Sequence, residues 1–235
     1  MINLYNCDCI DFMKSMQSES VDLIVTDPPY KIDSYGTSKL GNGSMFQKEI
    51  VKKGQVFENN CVEIEDYAKE LYRILKPESH CYVMTNNFNI IKFLNALVGA
   101  GFHFTKNIIW NKCRKTITPI YMQQYEYCIL VTKGKFKKVN DCSFGDIISV
   151  PNVKPKGADG KNLHDTPKPV KLMEILVTQS SKEGETVFDP FMGIGSTGIA
   201  CAKHGRNFIG CEIDEKYFQI ARDRIEQEEN TLTLF

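Results

Sequence analysis

The stretch from Glu185 to Ile213 constrains the fold more than any other. It reads as a strand, "ETVFDPF", a glycine turn, a helix from about Ser196 and a second strand, "NFIGCEI". Gly193, Gly195 and Gly198 stand in GxGxxG spacing, and Glu212 follows nineteen residues after Gly193. Alone that spacing is weak evidence. Set between a strand and a helix, with an acid closing the next strand, it predicts a parallel βαβ unit with a nucleoside site at the carboxyl edge of its sheet. The bland alternative is a plain glycine turn and a solvated glutamate.

The rest of the chain alternates strands with helical patterns. "VDLIV" (21–25) has the length and β-branching of a strand buried on both faces. Ile64, Tyr67, Ala68, Leu71, Tyr72 and Leu75 recur at helical spacing, and "KPES" is read as the end of that helix. "CYVMT" (81–85), "FTKNIIW" (104–110) and "YCILVTK" (127–133) read as strands, with a helix from Ile90 to Val98 between the first two. "TPKPVKLMEILV" (166–177) reads as a helix with prolines in its first turn, and the last helix is expected to run through Ile225. The pattern is α/β: a Rossmann-like, mostly parallel sheet with helices on both faces, in one domain over 1–235. Two stretches resist assignment, 31–60 and 134–165. The first is expected to be a mobile loop near the catalytic corner, the second a small target-recognition insertion.

Composition enters only to exclude. No apolar stretch approaches a membrane span, and "MINLYNCDCID" lacks the basic-then-apolar pattern of an export signal. The nine cysteines include no CxxC pair, and Cys7 with Cys9 do not make a metal site, so reduced thiols and a cytoplasmic location are expected. Net charge is zero, so a polyanion must be held by local patches.

Two corners carry chemistry. A nicotinamide dinucleotide would suit the glycines, but Asp189, in Asp189-Pro190-Phe191 ahead of them, would repel a pyrophosphate. The same carboxylate would attract an ammonium. S-adenosyl-L-methionine has a ribose, an adenine and a methionine ammonium without any phosphate, and it is the expected cofactor, leaving as S-adenosyl-L-homocysteine. The second corner is "DPPY", where Asp27, Pro28, Pro29 and Tyr30 end the strand of 21–25 on a rigid turn. Hydrogen bonds from an exocyclic base amine to the Asp27 carboxylate and the Pro28 carbonyl would localise the nitrogen lone pair for attack on a sulfonium methyl. Tyr30 would offer a stacking face to a base flipped from the duplex. A simple strand terminator is the bland alternative.

"TDPPY" and "DPFMGIGSTG" resemble the catalytic and cofactor motifs of DNA amino-methyltransferases. Their order, catalytic first and cofactor last, resembles the circularly permuted β class of that family. "NCDCIDFMKSMQSESVDLIVTDPPY", "ELYRILKP", "YEYCILVTKG" and "HDTPKPVKLMEILV" are similar to further family segments, so the likeness covers most of the chain. The last resembles a His-Pro-Thr-Gln-Lys-Pro pattern, with Asp165 and Pro167 in place of Pro and Gln. The resemblance implies cofactor contacts from Asp8 and Cys9, and from His164, Thr166, Lys168 and Pro169. It also implies them from Asp189, Pro190, Phe191, Gly193, Gly195, Ser196 and Thr197, and from Glu212 and Ile213. An Asp before Pro-Pro-Tyr usually accompanies adenine N6 in the family, and Ser accompanies cytosine N4. The expected activity is site-specific methylation of adenine N6 in double-stranded DNA. Cytosine N4 is the nearer alternative, and a non-catalytic nucleotide-binding subunit the more distant one.

Residues 131–171 hold nine lysines against four acids, most of them in "TKGKFKK" (132–138) and "NVKPKGADGK" (152–161), with "NKCRK" (111–115) added. These are expected to contact phosphates, against the ordinary reading of a solvated rim. Partners implied beyond DNA are a cognate restriction endonuclease, a second copy in a homodimer, and a replication sliding clamp. The last follows from the tail of 230–235, where Thr231–Phe235, "TLTLF", resembles a Gln-Leu-Ser-Leu-Phe docking peptide.

Overall fold

The computed structural model describes residues 1–29, 62–117, 121–157, 160–164 and 166–232. In chain order its elements begin with β1 (Ile2–Asn6), α1 (Cys9–Ser15), β2 (Val21–Thr26), α2 (Ile64–Ile74), β3 (Leu75–Thr85), α3 (Ile90–Gly99) and β4 (His103–Thr116). They continue with β5 (Gln123–Lys133), β6 (Ile147–Ser149), α4 (Val170–Ser180), β7 (Thr186–Asp189), α5 (Ser196–Lys203), β8 (Asn207–Glu212) and α6 (Glu215–Leu232). One sheet runs β1-β8-β7-β2-β3-β5-β4-β6. Only β5 is antiparallel to its neighbours β3 and β4; every other pairing is parallel.

Helices cover both faces because alternate residues of the central strands point opposite ways. Leu23 and Val25 of β2 join Leu172 and Leu176 of α4, Ile199 of α5 and Ile225 of α6 in one core. Val21 and Ile24 join Met13 of α1, Leu71 of α2 and Leu97 of α3 in the other. Strands buried on both faces read as continuous apolar runs, which is why β2 was legible. β7 and β2 lie side by side and parallel although far apart in sequence. Their connections leave in opposite directions, so a crevice opens at their carboxyl ends.

Several boundaries differ from expectation. "KPES" does not separate α2 from a strand beginning at Cys81; β3 starts at Leu75, directly after the helix. Its register jumps from Val21↔Leu75 to Leu23↔His80, so Lys76, Pro77 and Glu78 bulge out of a strand that pairs on both sides of them. Glu78 takes φ 55° in that bulge. The prolines of "TPKPV" lie outside the helix: Pro169 is the N-cap of α4. A residue before proline is driven to extended backbone, so a helix cannot enclose both prolines. The last helix passes Ile225 and continues to Leu232, with the Thr231 hydroxyl donating to the Gln227 carbonyl at 2.9 Å. The first two residues of the proposed docking peptide are therefore helical; 233–235 lie outside the described residues. So do Tyr30 and the whole of the expected mobile loop, 31–60.

The stretch 134–165 is not one insertion. Its first part is pinned at the amino edge of the sheet, where the Asn140 side-chain amide donates to the carbonyls of Thr178 and Ser181 at the end of α4. The middle supplies β6, beside β4. Only the part after Ser149 returns to the carboxyl edge. There the Trp110 indole N–H donates to the Val150 carbonyl at 2.8 Å, and Lys156 bridges Asn162.

Candidate active site

A cavity of about 680 Å³ lies over the carboxyl ends of β8, β7, β2 and β4 and the amino end of the antiparallel β5. Its glycine end is built by the βαβ unit. Gly193 and Gly195 turn with φ 53° and 79°, a left-handed backbone that strains any side chain. A Cβ on Gly195 would lie 3.1 Å from the Ala221 Cβ, so this glycine packs the turn onto α6 and does not line the cavity. The Gly193 N–H donates to Glu212 Oε2 at 2.9 Å, and the Asp214 N–H to Oε1 at 2.9 Å. The acid at the end of β8 thus staples the turn before any ligand arrives, and its remaining lone pairs face the cavity. Burial pushes the Glu212 carboxyl up from its ordinary range, against the amides that hold it charged.

Asp189 is 3% exposed at the end of β7. It accepts from the Thr197 hydroxyl at 2.7 Å and the Phe191 N–H at 3.1 Å. Burial lifts its carboxyl to about 7, the hydroxyl and amide opposing. Asp8 caps α1, accepting the N–H groups of Ile10 and Asp11 at 2.8 and 3.1 Å, with Cys9 buried beside it. His164 lies against Tyr217, ring centroids 4.4 Å apart, and its Nδ1 accepts the Thr166 N–H at 3.0 Å. Pro190, Phe191, Ser196, Thr197 and Ile213 also line this end. The charged side chains here, Asp8, Asp189, Glu212 and Asp214, are all acidic. That set of acceptors fits a cationic nucleoside carrying hydroxyls and an ammonium, and it opposes a phosphate.

The other end is formed by Asp27, Pro28 and Pro29 after β2. Lys168 pairs with Asp27 through Oδ2, while Asp27 Oδ1 is buried without a hydrogen-bond partner among the described residues. Burial raises the Asp27 carboxyl above its usual range, with the Lys168 ammonium pulling the other way. An orphaned acceptor at a cavity wall is costly unless a ligand donor reaches it.

Of the residues expected at the site, all but three line this cavity. Gly195 supports the turn from behind, Pro169 caps α4, and Tyr30 lies outside the described residues. Lys168, expected at the cofactor, lines the cavity and pairs with Asp27. Sequence reasoning missed Glu126 and the aromatic ring of Phe88 at this end, and Lys112, expected among the phosphate contacts, pairs with Glu126. The signal for Glu126 was present: a single acid inside "YEYCILV", a run otherwise suited to burial.

The family model described as DNA methylase matches residues 21–223. The chain is 30% identical to the Type II methyltransferase M2.DpnII of Streptococcus pneumoniae, over 97% of this chain and 91% of that protein. It is 29% identical to the Type II methyltransferase M.HinfI of Haemophilus influenzae, over 94% and 67%. Among solved structures, the M1.HpyAVI–SAM complex superposes with a TM-score of 0.70 at 26% identity, covering 95% of this chain and 100% of that one. The cytosine-N4-specific PvuII DNA methyltransferase shares the fold, with a TM-score of 0.74 at 18% identity over 98% and 92%.

Proposed function

The chain belongs to the DNA methylase family, whose members use S-adenosylmethionine, and on that premise we propose that it methylates adenine N6 in double-stranded DNA at the Asp27 corner. The observation that carries this reading is the unpartnered Asp27 Oδ1 on the cavity wall, one strand away from the acidic glycine end. When bound, S-adenosylmethionine supplies an electrophilic sulfonium methyl. Glu212 would accept from the ribose hydroxyls, Asp189 would face the ammonium, and Asp8 with Cys9 would bound the adenine. Asp27 Oδ1 and the Pro28 carbonyl accept the two N–H groups of the target amine, which turns its lone pair toward the methyl. The methyl would leave sulfur without its bonding pair, and Asp27 would accept the proton that the nitrogen sheds. Asp at position 27 favours adenine over cytosine N4. Sequencing that detects modified bases, applied to DNA from a host expressing the protein, tests this: N6-methyladenine at one short site supports it, and N4-methylcytosine or no modification overturns it. The Type II names of the relatives support a cognate endonuclease as partner. Among the described residues, no helix is long and apolar enough to cross a membrane.

The acidic glycine end gives a pH dependence with a definite sign. With a carboxyl near 7, Asp189 is partly protonated below neutrality. A bound ammonium favours the ionised form, so binding releases protons there and affinity rises with pH up to about 7, then levels. Calorimetry of cofactor binding across that range should show the rise in the wild type. Asp189→Asn should flatten it and weaken binding on the alkaline side.

The lysine-rich segments need correction. Lys133 does not face phosphate: it is buried, 2.7 Å from the Leu75 carbonyl, 3.2 Å from Glu19 and over the Tyr72 ring. Residues 133–138 leave β5 at the amino edge of β3, across the sheet from Asp27, and Lys137 reaches the Ser180 carbonyl. Arg114 and Lys115 are exposed between the cavity-lining Lys112 and Thr116 of β4, and Lys154 and Lys156 follow β6 on the carboxyl side of the sheet. We expect their neutralisation to lower the salt dependence of DNA binding, each lost phosphate contact removing about 0.9 from the log–log slope. The double variant Lys135→Gln/Lys138→Gln should leave the slope unchanged. Titrating a labelled duplex at several salt concentrations reads both.

A further inference from the structure

Four charged side chains form a chain along the catalytic end of the cavity: Lys112, Glu126, Lys168 and Asp27. Lys112 pairs with Glu126 Oε1 and Lys168 with Asp27 Oδ2. The link between the pairs is incomplete. Lys168 Nζ stands 3.7 Å from Glu126 Oε2, which is buried and has no hydrogen-bond partner among the described residues. A single buried lysine thus has a second carboxylate oxygen within a short movement, and that oxygen has nothing else to do.

The transfer reaction, on the reading given above, explains why. Positive charge develops on the target nitrogen as the N–C bond forms. An ammonium seated on Asp27 opposes that charge, since it neutralises the carboxylate meant to face it. Only interactions that strengthen in the transition state raise the rate. We propose that Glu126 is a positioning residue of the transfer reaction: it serves as a second anion for Lys168, drawing the ammonium from Asp27 so that Asp27 turns its charge to the reacting nitrogen. Lys168 still keeps Asp27 ionised before the base arrives, and Lys112 keeps Glu126 ionised. Burial presses the Glu126 carboxyl up, but Lys168 and Lys112 together hold it below its ordinary range. Burial likewise presses the Lys168 ammonium down, and the two carboxylates more than reverse that. Both therefore stay charged at neutral pH.

Asp27 is faced by Lys168 before α4, Glu126 and Cys128 from β5, Lys112 from β4, Asp189 from β7 and Tyr67 from α2. The test titrates the Asp27 carboxyl directly by carbon NMR in the DNA-free protein, its signal identified by difference against Asp27→Asn. Glu126→Gln removes a like charge and leaves Lys168 to Asp27 alone, so the midpoint should fall. Lys112→Met leaves Glu126 to compete harder for Lys168, so the midpoint should rise. In methyl-transfer assays Glu126→Gln should lower kcat by about tenfold or more, the size of one charge-assisted contact, with cofactor affinity within a few fold of wild type. Midpoints unmoved in both variants overturn the proposal, as does a kcat that falls only with cofactor affinity or folded fraction. A wild type that transfers no methyl group overturns the functional reading instead, and the NMR midpoints still decide the role of Glu126.

Discussion

Asp27→Ala should abolish methyl transfer while leaving cofactor affinity within a few fold of wild type. The side chain sits at the other end of the cavity from Glu212 and Gly193, and its unpartnered Oδ1 is the acceptor proposed for the amine. Removing one preorganised electrostatic contact at a reacting atom costs about 10²–10³ in kcat. Here the loss should reach at least that, because the orientation of the lone pair goes with the contact. The fold should survive, since Lys168, deprived of Asp27, retains Glu126 at 3.7 Å and is not stranded as an unpaired buried cation. Single-turnover methyl transfer from labelled cofactor, beside calorimetry on the same sample, separates the two effects. Cofactor binding lost together with activity would show that Asp27 shapes the whole cavity. Asp27→Asn is the sharper control: it keeps a carbonyl acceptor but no charge, so partial activity in Asn with none in Ala assigns the difference to geometry.

Glu212→Ala should raise the cofactor's dissociation constant by roughly 10- to 150-fold, the equivalent of about 1.5–3 kcal/mol for lost charge-assisted hydrogen bonds. Two losses act together. The ribose hydroxyls lose their acceptor, and the Gly193 and Asp214 N–H groups lose the carboxylate that aligns the turn. Glu212→Gln can still accept one of those amides through its carbonyl oxygen, so it should lie between Ala and wild type. Calorimetry measures the affinities, and the melting temperature without cofactor reports the staple alone. Affinity unchanged in both variants would remove Glu212 from the site, whatever its effect on the turn.

What the chain determines by itself is everything carried by local periodicity and backbone chemistry. The apolar run of β2, the prolines that stop it, the glycines that need left-handed backbone, and the acid at the end of β8 are each dictated by neighbours a few residues away. From these the βαβ unit, the mostly parallel sheet and the two corners of the site could be read before any contact was known. Element ends were less legible because distant pairing sets them. β3 begins at Leu75 since Val21 is there to pair with it, and Lys76, Pro77 and Glu78 bulge outward as a result.

The charge arrangement could be decided only by tertiary structure. Lys133 and Lys115 look alike in sequence, yet one is buried at the amino edge and the other is exposed near the carboxyl end of β4. The antiparallel return of β5 carries residues 133–138 away from Asp27 and brings Glu126 toward it. Lys168 pairs with a carboxylate 141 residues away. No local pattern encodes such a pair, because Coulomb attraction and desolvation depend on distance through space and on burial, which exist only once the sheet has formed.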